Sequence, residues 1–394
     1  MAMETTSLVI NIGSASKKYA LYEEEKELAT YHFEKEDGSF IVTETFNNAK
    51  EKLSLTENEY TQSTVFLLNR LKTKNNAFSI EQIGIRVVAP GTYFHATQPV
   101  TQEYITKLEE ALLKAPLHIA PTLEEIKLLP SLFPDKPIVA VSDSAFHTTI
   151  TESAQFYALP IETIQKYDIY RFGYHGISMQ SIVRTLKKAI NPLPRNIIIC
   201  HLGSGSSITA VKDGKSYDTS MGFTPLEGLP MGTRVGNIDP GVITHLAKQL
   251  NLSPNDLDTY LNTQCGLHGL SGKTADVREL IALEQQGDKN AKRTLDYFSY
   301  HVKKYIGAYT AILNGVDLIV FTAGIGERSS IMRARILNDL EELGIIVNKE
   351  KNEAASSENV SFIEDVTSKV KIAVIKTNEM KEIMYSIQGI ATSH

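Results

Sequence analysis

Apolar residues in this chain gather in short continuous runs, and between the runs they recur at helical spacing. The runs are "SLVINIG", "KKYALYE", "QIGIRVVA", "PIVAVS", "NIIICHLG", "SSITAVK" and "VDLIVFTAG". Short apolar runs bounded by Gly, Pro and polar residues read as strands. In "NAKRTLDYFSYHVKKYIGAYTAILNG", Leu295, Phe298, Val302, Tyr305 and Ile306 follow the ~3.6-residue helical repeat, and Gly315 marks the end. "SSIMRARILNDLEELG" opens on serine caps and predicts a helix that runs to Gly344. "DGK" at Asp213–Lys215 predicts a turn between two strands. Strands alternating with helices predict an α/β fold.

Length then changes the picture. With 394 residues the chain is long for one core, so two domains are expected. The expected division is residues 1–150, completed by 380–394, and residues 151–379. Hydrophobic residues make up 42%, enough for a sizeable interior. Lys plus Arg number 40 against 46 Asp plus Glu, a net charge of −6, and no block is strongly basic. Nucleic acid is therefore not an expected partner, because phosphate neutralisation needs clustered cations. No apolar stretch approaches the ~20 residues of a membrane helix, and "MAMETTS" lacks a signal peptide's basic start. The two cysteines, Cys200 and Cys265, make no disulfide framework. Cys200 ends an apolar run and reads as a core thiol. The expectation is a cytoplasmic globular protein with no membrane partner.

One pattern occurs twice. "SLVI" leads into "NIGSAS" and a second apolar segment, and "NIIIC" leads into "HLGSGSS" and another. Glycine alone could mark a tight hairpin. Two copies with Gly and Ser at matching offsets fit a second purpose: main-chain N–H groups and hydroxyls turned toward phosphate oxygens. Two such cradles suit a polyphosphate.

At this point the chain resembles the acetate kinase family, within the actin-, Hsp70- and sugar-kinase-like ATPases. The resemblance rests on "LVINIGSASKKYALY", "RFGYHGIS", "HLGSGSSITAVKDGKSYDTSMGFTPLEGLPMGTRVGNIDP", "SGKTADVRE", "FTAGIGERS" and "KTNEM", in family order over most of the chain. It implies two duplicated actin-like, ribonuclease H-like domains with a cleft between them, and a homodimer. It also implies ATP and ADP as substrates, Mg²⁺ (with Mn²⁺ as the alternative) as cofactor, and reversible phosphorylation of acetate or a similar short-chain carboxylate.

That chemistry sets its own demands. A carboxylate, with a pKa of ~4–5, is already ionised near neutrality and needs no general base. It needs relief from the repulsion of the γ-phosphoryl group, which arginines, a hydrogen-bond donor and a metal ion supply. Arg86 in "GIRVVAPG" and Arg234 in "PMGTRVGN" could each be a surface arginine; the resemblance assigns them to the carboxylate and the transferring phosphoryl. A planar guanidinium meets such oxygens two at a time. His175 in "FGYHGIS" precedes a helical stretch and would otherwise read as structural; the resemblance makes it a transition-state donor. His201 is expected near the phosphates, while His147 reads as structural. Asp143 and Glu379 each follow an apolar run, where α/β folds place site residues. Either could be a helix cap. The resemblance makes them metal candidates with Asn11, and gives Asp143 metal binding or water positioning. Asn11, Ser14, Ser16 and Lys18 match the first phosphate turn. Gly203, Ser204 and Gly205 match the second. Asp276, Val277 and Arg278 of "ADVRE", with Gly324, Ile325 and Gly326 of "AGIGER", match the adenosine contacts.

The acyl side departs from the family pattern. "IRVVAPG" replaces "HRVVHGG", "APLHIAP" replaces "APLHNP", and "YHGISM" replaces "FHGTSH". The residues carried over to the methyl end are Val88, Leu117, Tyr174 and Pro225, and Tyr174 adds a hydroxyl to the usual Phe. Propionate or another small acid is therefore an alternative substrate. A nucleotide-binding module without transfer, and a pyrophosphate-using kinase, are readings of other kinds.

Overall fold

The computed structural model describes residues 6–13, 16–36, 38–47, 49–73, 79–356, 358 and 360–391. In chain order its strands are β1 (Thr6–Ile12), β2 (Ser16–Glu23), β3 (Lys26–Glu36), β4 (Ser39–Phe46), β5 (Ala49–Leu55), β6 (Ile80–Val87), β7 (Gln98–Pro99), β8 (Ile138–Ser142), β9 (Asn196–Leu202), β10 (Ser206–Lys212), β11 (Lys215–Thr219), β12 (Leu318–Thr322), β13 (Ser361–Phe362) and β14 (Lys371–Val374). Two compact units result: one runs to Ala145 and resumes at Asn378, the other is Phe146–Thr377.

Each unit is built on one sheet, and six strands of the first, from β3 to β7 across the sheet, follow the order of the second. The first reads β5-β4-β3-β2-β1-β6-β8-β7 and the second β11-β10-β9-β12-β14-β13. In both, a central strand pairs antiparallel with the next in sequence and parallel with a later one: β1 with β2 and β6, β9 with β10 and β12. A second parallel pairing follows, β6 with β8 and β12 with β14, and an antiparallel edge closes each sheet. The glycine of each Gly-Ser repeat follows the central strand, Gly13 after β1 and Gly203 after β9.

The parallel strands are apolar on both faces because helices cover both. Along β9, Ile198, Cys200 and Leu202 join one core cluster, while Ile197 and Ile199 join another with Met179, Ile182 and Leu186 of the helix Gly176–Ala189. In the first unit the helix Glu379–Ala391 packs on β1 and β6. Gly84 permits the approach: a Cβ there would lie 2.8 Å from Ile387 and 3.0 Å from Ile383.

The apolar runs pick out β1, β2, β6, β8, β9, β10 and β12 but not β3–β5. On β3 the buried Ala29, Tyr31 and Phe33 alternate with polar positions, so no continuous run forms. The "DGK" turn joins β10 to β11, with Asp213 at φ 52° and Gly214 at φ 76°, the left-handed pair that suits a two-residue hairpin. The helix Lys289–Leu313 ends at Asn314 in a left-handed conformation, one residue before Gly315. The helix expected to reach Gly344 stops sooner, spanning Ser330–Leu337. Asn338 turns extended and Asp339 left-handed (φ 57°), and Lys303 Nζ donates to the Asn338 carbonyl. Among the described residues no helix is long and apolar enough to cross a membrane.

Candidate active site

In the first unit the carboxyl ends of β1, β6 and β8 lie side by side, and each delivers one polar residue. The parallel registers pair Ile10 with Ile85 and Arg86 with Val141. Asn11, Arg86 and Asp143 therefore emerge at one end of the sheet. Arg86 donates from Nε to Asp143 Oδ1 and from Nη2 to Asp143 Oδ2, both at 2.9 Å. Its Nη1 donates to Asn11 Oδ1 at 3.1 Å, and Asn11 Nδ2 donates to Glu379 Oε2 at 3.0 Å. Glu379 opens the helix Glu379–Ala391, where an acid suits the positive end of the dipole. Burial disfavours the Arg86 charge, but Asp143 and Glu379 outweigh it and raise its pKa. Asp143 is 1% exposed.

Around this chain lie the other residues expected on the first unit. Ser16 begins β2, and its carbonyl accepts from Gly13 N at 2.9 Å. Lys18 is exposed and pairs with Asn11 across the strands. Ser14 lies outside the described residues. Val88 is half-buried just past β6, and Leu117 is exposed in the first turn of the helix Pro116–Leu132.

In the second unit the turn Gly203–Gly205 is closed by a bond from Gly203 N to Gly205 O (3.1 Å) and held from outside by Gly232 N, which donates to Ser204 O (2.9 Å). Space at Gly205 is set by two functional candidates. A Cβ there would lie 3.3 Å from His175 Nε2 and 3.7 Å from Arg234 Nη1. His175 occupies the position just before the helix Gly176–Ala189, in a left-handed conformation (φ 60°). Its ring stacks on His201 at 4.1 Å and 24°. The Nδ1 atoms of the two rings engage Ser207 Oγ (3.0 Å) and Ser178 Oγ (2.9 Å), so both rings are oriented by hydroxyls. Arg234 Nη1 donates to the Pro225 carbonyl at 3.3 Å.

A cavity of about 680 Å³ opens beside the same turn. Gly203 and Ser204 border it, together with Asp276, Val277 and Arg278, and with Gly324 and Ile325. Asp276 caps the helix Val277–Gln285 through Arg278 N, and its side chain pairs with the Arg278 guanidinium. Gly326 does not border the cavity. It is buried, and a Cβ would sit 3.3 Å from the Phe321 backbone and 3.5 Å from the Cys200 carbonyl, so it lets the helix Ala323–Arg328 pack onto the sheet. His201 also stays off the cavity wall, 7% exposed beneath His175. Sequence reasoning missed Arg328 and Ile331 on this wall; both follow the "AGIG" motif on the next turns of helix.

Tyr174 is 1% exposed, and its hydroxyl donates to the Phe223 carbonyl at 2.7 Å. Pro225 is buried on the same segment. His147 is fully buried between Ser216 Oγ (2.8 Å) and the Tyr174 carbonyl (3.0 Å), a structural placement. Cys200 is fully buried, and desolvation raises its thiol pKa. Among the described residues no three His, Cys, Asp or Glu side chains gather into a metal cage.

Two sheets that share an order over six strands, each with a glycine just past its central strand, define a protein of the duplicated actin-like ATPase fold. The match to known proteins narrows this: residues 6–385 match the acetokinase family, and the chain belongs to it. It is 41% identical to the acetate kinase of Thermoanaerobacterium thermosaccharolyticum, over 98% of this chain and 99% of that one. Among solved structures it is similar to Porphyromonas gingivalis acetate kinase (TM-score 0.86, 34% identity, 98% of this chain and 100% of that one). It is also similar to a propionate kinase from Francisella tularensis (TM-score 0.90, 36% identity, 97% and 98%).

Proposed function

We propose that this protein is an acetate kinase, transferring the γ-phosphoryl group of ATP to acetate, reversibly, to give acetyl phosphate and ADP. A carboxylate oxygen forms the new bond to phosphorus as the bond to the β–γ bridging oxygen breaks in line. No proton moves in the step, because acetate enters ionised. The observation that carries the reading is the convergence of Arg234 and His175 on Gly205, next to a cavity bordered by Gly203 and Gly324. In the second unit, His175 and Arg234 donate to the phosphoryl oxygens as charge redistributes, His201 holds His175, and the cavity takes the nucleoside. In the first unit, Arg86, held by Asp143, takes the carboxylate. The carried-over methyl end is Val88, Leu117, Tyr174 and Pro225.

The donor set fits magnesium. Mg²⁺ takes one or two carboxylates and completes its shell with phosphate and water. Glu379 and Asn11 would hold it, with Asp143 behind Arg86. Bound there, the ion neutralises phosphate charge; Mn²⁺ fits the same donors. A reducing, cytoplasmic setting fits two free cysteines, and a homodimer is proposed by family likeness. Propionate is the second reading, favoured by the likeness to the Francisella tularensis propionate kinase.

The test incubates the protein with ATP, Mg²⁺ and a panel of C2 to C4 acids and traps acyl phosphate with hydroxylamine. Hydroxamate with acetate supports the reading. Hydroxamate with propionate alone moves it to the second. None with any acid, from folded protein that binds ATP, leaves a nucleotide-binding module.

A further inference from the structure

Three segments of the second unit meet at one ion pair that the reaction above does not use. Arg171 Nη2 donates to Glu227 Oε1 at 2.5 Å, with side chains 17% and 28% exposed. The rest of the guanidinium is spent on main chain. Nε donates to the Ala154 carbonyl (3.0 Å), and Nη1 faces three successive carbonyls, Thr219 (3.2 Å), Ser220 and Met221 (both 3.3 Å). The other Glu227 oxygen accepts from Tyr157 OH at 2.5 Å, and Tyr157 OH accepts in turn from Phe223 N at 2.7 Å. Gly222 leaves room for this: a Cβ would lie 1.7 Å from Glu227 Oε2 and 2.2 Å from Tyr157 OH. Burial disfavours the Arg171 charge, yet Glu227 outweighs it and the pKa rises.

What the clamp holds is the stretch of chain that Arg234 and Tyr174 bond. Phe172 N and Gly173 N donate to the Gly222 carbonyl at 3.1 and 3.3 Å, joining the strand of chain before His175 to the clamped segment. Tyr174 OH donates to the Phe223 carbonyl at 2.7 Å. Arg234 Nη1 donates to the carbonyl of Pro225, two residues before Glu227. The 219–228 segment thus bonds Arg171 and Tyr157 as well as Arg234 and Tyr174. None of the three clamp residues borders the 680 Å³ cavity.

We propose that Arg171, Glu227 and Tyr157 are positioning residues for phosphoryl transfer, fixing Arg234 by clamping the 219–228 segment while leaving nucleotide affinity unchanged. Lysine cannot replace Arg171, because one ammonium lacks the fork that reaches carboxylate and carbonyls together. A displacement of the order of an ångström in a group that meets the transition state costs ~10²-fold in rate.

The inference rests on the transfer reading above, and a double-mutant cycle separates the two. Arg171→Lys is expected to lower kcat by ~10- to 10²-fold with KM for ATP changed by less than ~2-fold. In an Arg234→Ala background the same substitution is expected to lower the remaining kcat by less than ~3-fold, because its target is already gone. Equal fold-losses in both backgrounds, or a loss confined to KM for ATP, would overturn the inference while the reading stands. If circular dichroism shows Arg171→Lys unfolded, Tyr157→Phe carries the same cycle, with a ~3- to 10-fold loss expected in the Arg234 parent and a smaller one in the Ala background. An unaltered chain that forms no acyl phosphate sinks the reading and this inference with it.

Discussion

Arg86 grips Asp143 through two parallel bonds of 2.9 Å, Nε to Oδ1 and Nη2 to Oδ2, and its remaining nitrogen reaches Asn11. A charge-assisted fork of this kind holds the guanidinium plane before any substrate arrives. The two candidates read separately from sequence, one for substrate and one for metal, are one unit in the fold.

That pairing sets the first expectation. Arg86→Ala and Arg234→Ala should each lower kcat/KM for the acid by at least ~10²-fold, since each removes a charge-assisted donor from developing charge. Arg86→Ala carries a second cost, because it leaves Asp143 buried without its partner, a loss of ~3–5 kcal/mol for a buried pair. Steady-state kinetics with urea unfolding checks both. A stable, active Arg86→Ala protein would remove Arg86 from both roles.

Tyr174 OH already spends its donor on the Phe223 carbonyl. The partner is a main-chain carbonyl, as an unpaired buried hydroxyl's cost requires. Tyr174→Phe should therefore cost ~0.5–1.5 kcal/mol of stability and leave the acetate-to-propionate ratio of kcat/KM within ~2-fold. A large shift in that ratio would mean that the hydroxyl reaches the acid.

Arg333 is 2% exposed, and its pKa is lowered to about 10 by burial. It donates to Asn352 Oδ1 and O (both 2.7 Å) and to the carbonyls of Gly326 and Glu327 (both 2.9 Å), which follow Ile325 on the cavity wall. Arg333→Met strands these oxygens. The expected cost is ~2–4 kcal/mol in urea unfolding, with KM for ATP rising more than kcat falls. Unchanged ATP kinetics would show that the staple serves stability alone.

Asp218 gives a pH test. Burial, opposed by Arg171 and aided by Glu227, raises its pKa from 3.8 to about 6. Between those values the folded chain keeps a proton that the unfolded chain has lost, so stability falls as pH rises through the window. Asp218→Asn removes this slope. Its advantage over the unaltered chain, measured as a urea midpoint, should grow from ~pH 4 to ~pH 6 and then level off. Parallel profiles would show that Asp218 titrates normally.

Much of the scaffold is legible as apolar runs, because parallel strands covered on both faces need apolar side chains at every position. β3–β5 are not, since alternation with Glu, Lys and Thr hides the buried face from a search for runs. The early end of the helix at Leu337 turns on Asn338 and Asp339, which read as ordinary helix-surface residues until a left-handed φ is seen. Within the site, Gly203, Asp276 and Gly324 were found because motifs carry them. Arg171 and Tyr157 carry no such signal: both meet Glu227 more than fifty residues on in sequence, and the rest of the Arg171 guanidinium goes to main-chain carbonyls, Thr219 and Ser220 among them. Main-chain acceptors leave no trace in residue identity.

The central claim is that a carboxylate oxygen bonds directly to the γ-phosphorus. Acetate labelled with ¹⁸O in both positions tests it, with ATP, Mg²⁺ and hydroxylamine, read by ³¹P NMR. Hydroxylamine attacks the carbonyl carbon of acetyl phosphate and leaves the bridging oxygen on phosphorus. The account predicts hydroxamate together with phosphate that carries one ¹⁸O. Unlabelled phosphate with no hydroxamate would mean that water, not the acid, takes the phosphoryl group, and would contradict the account.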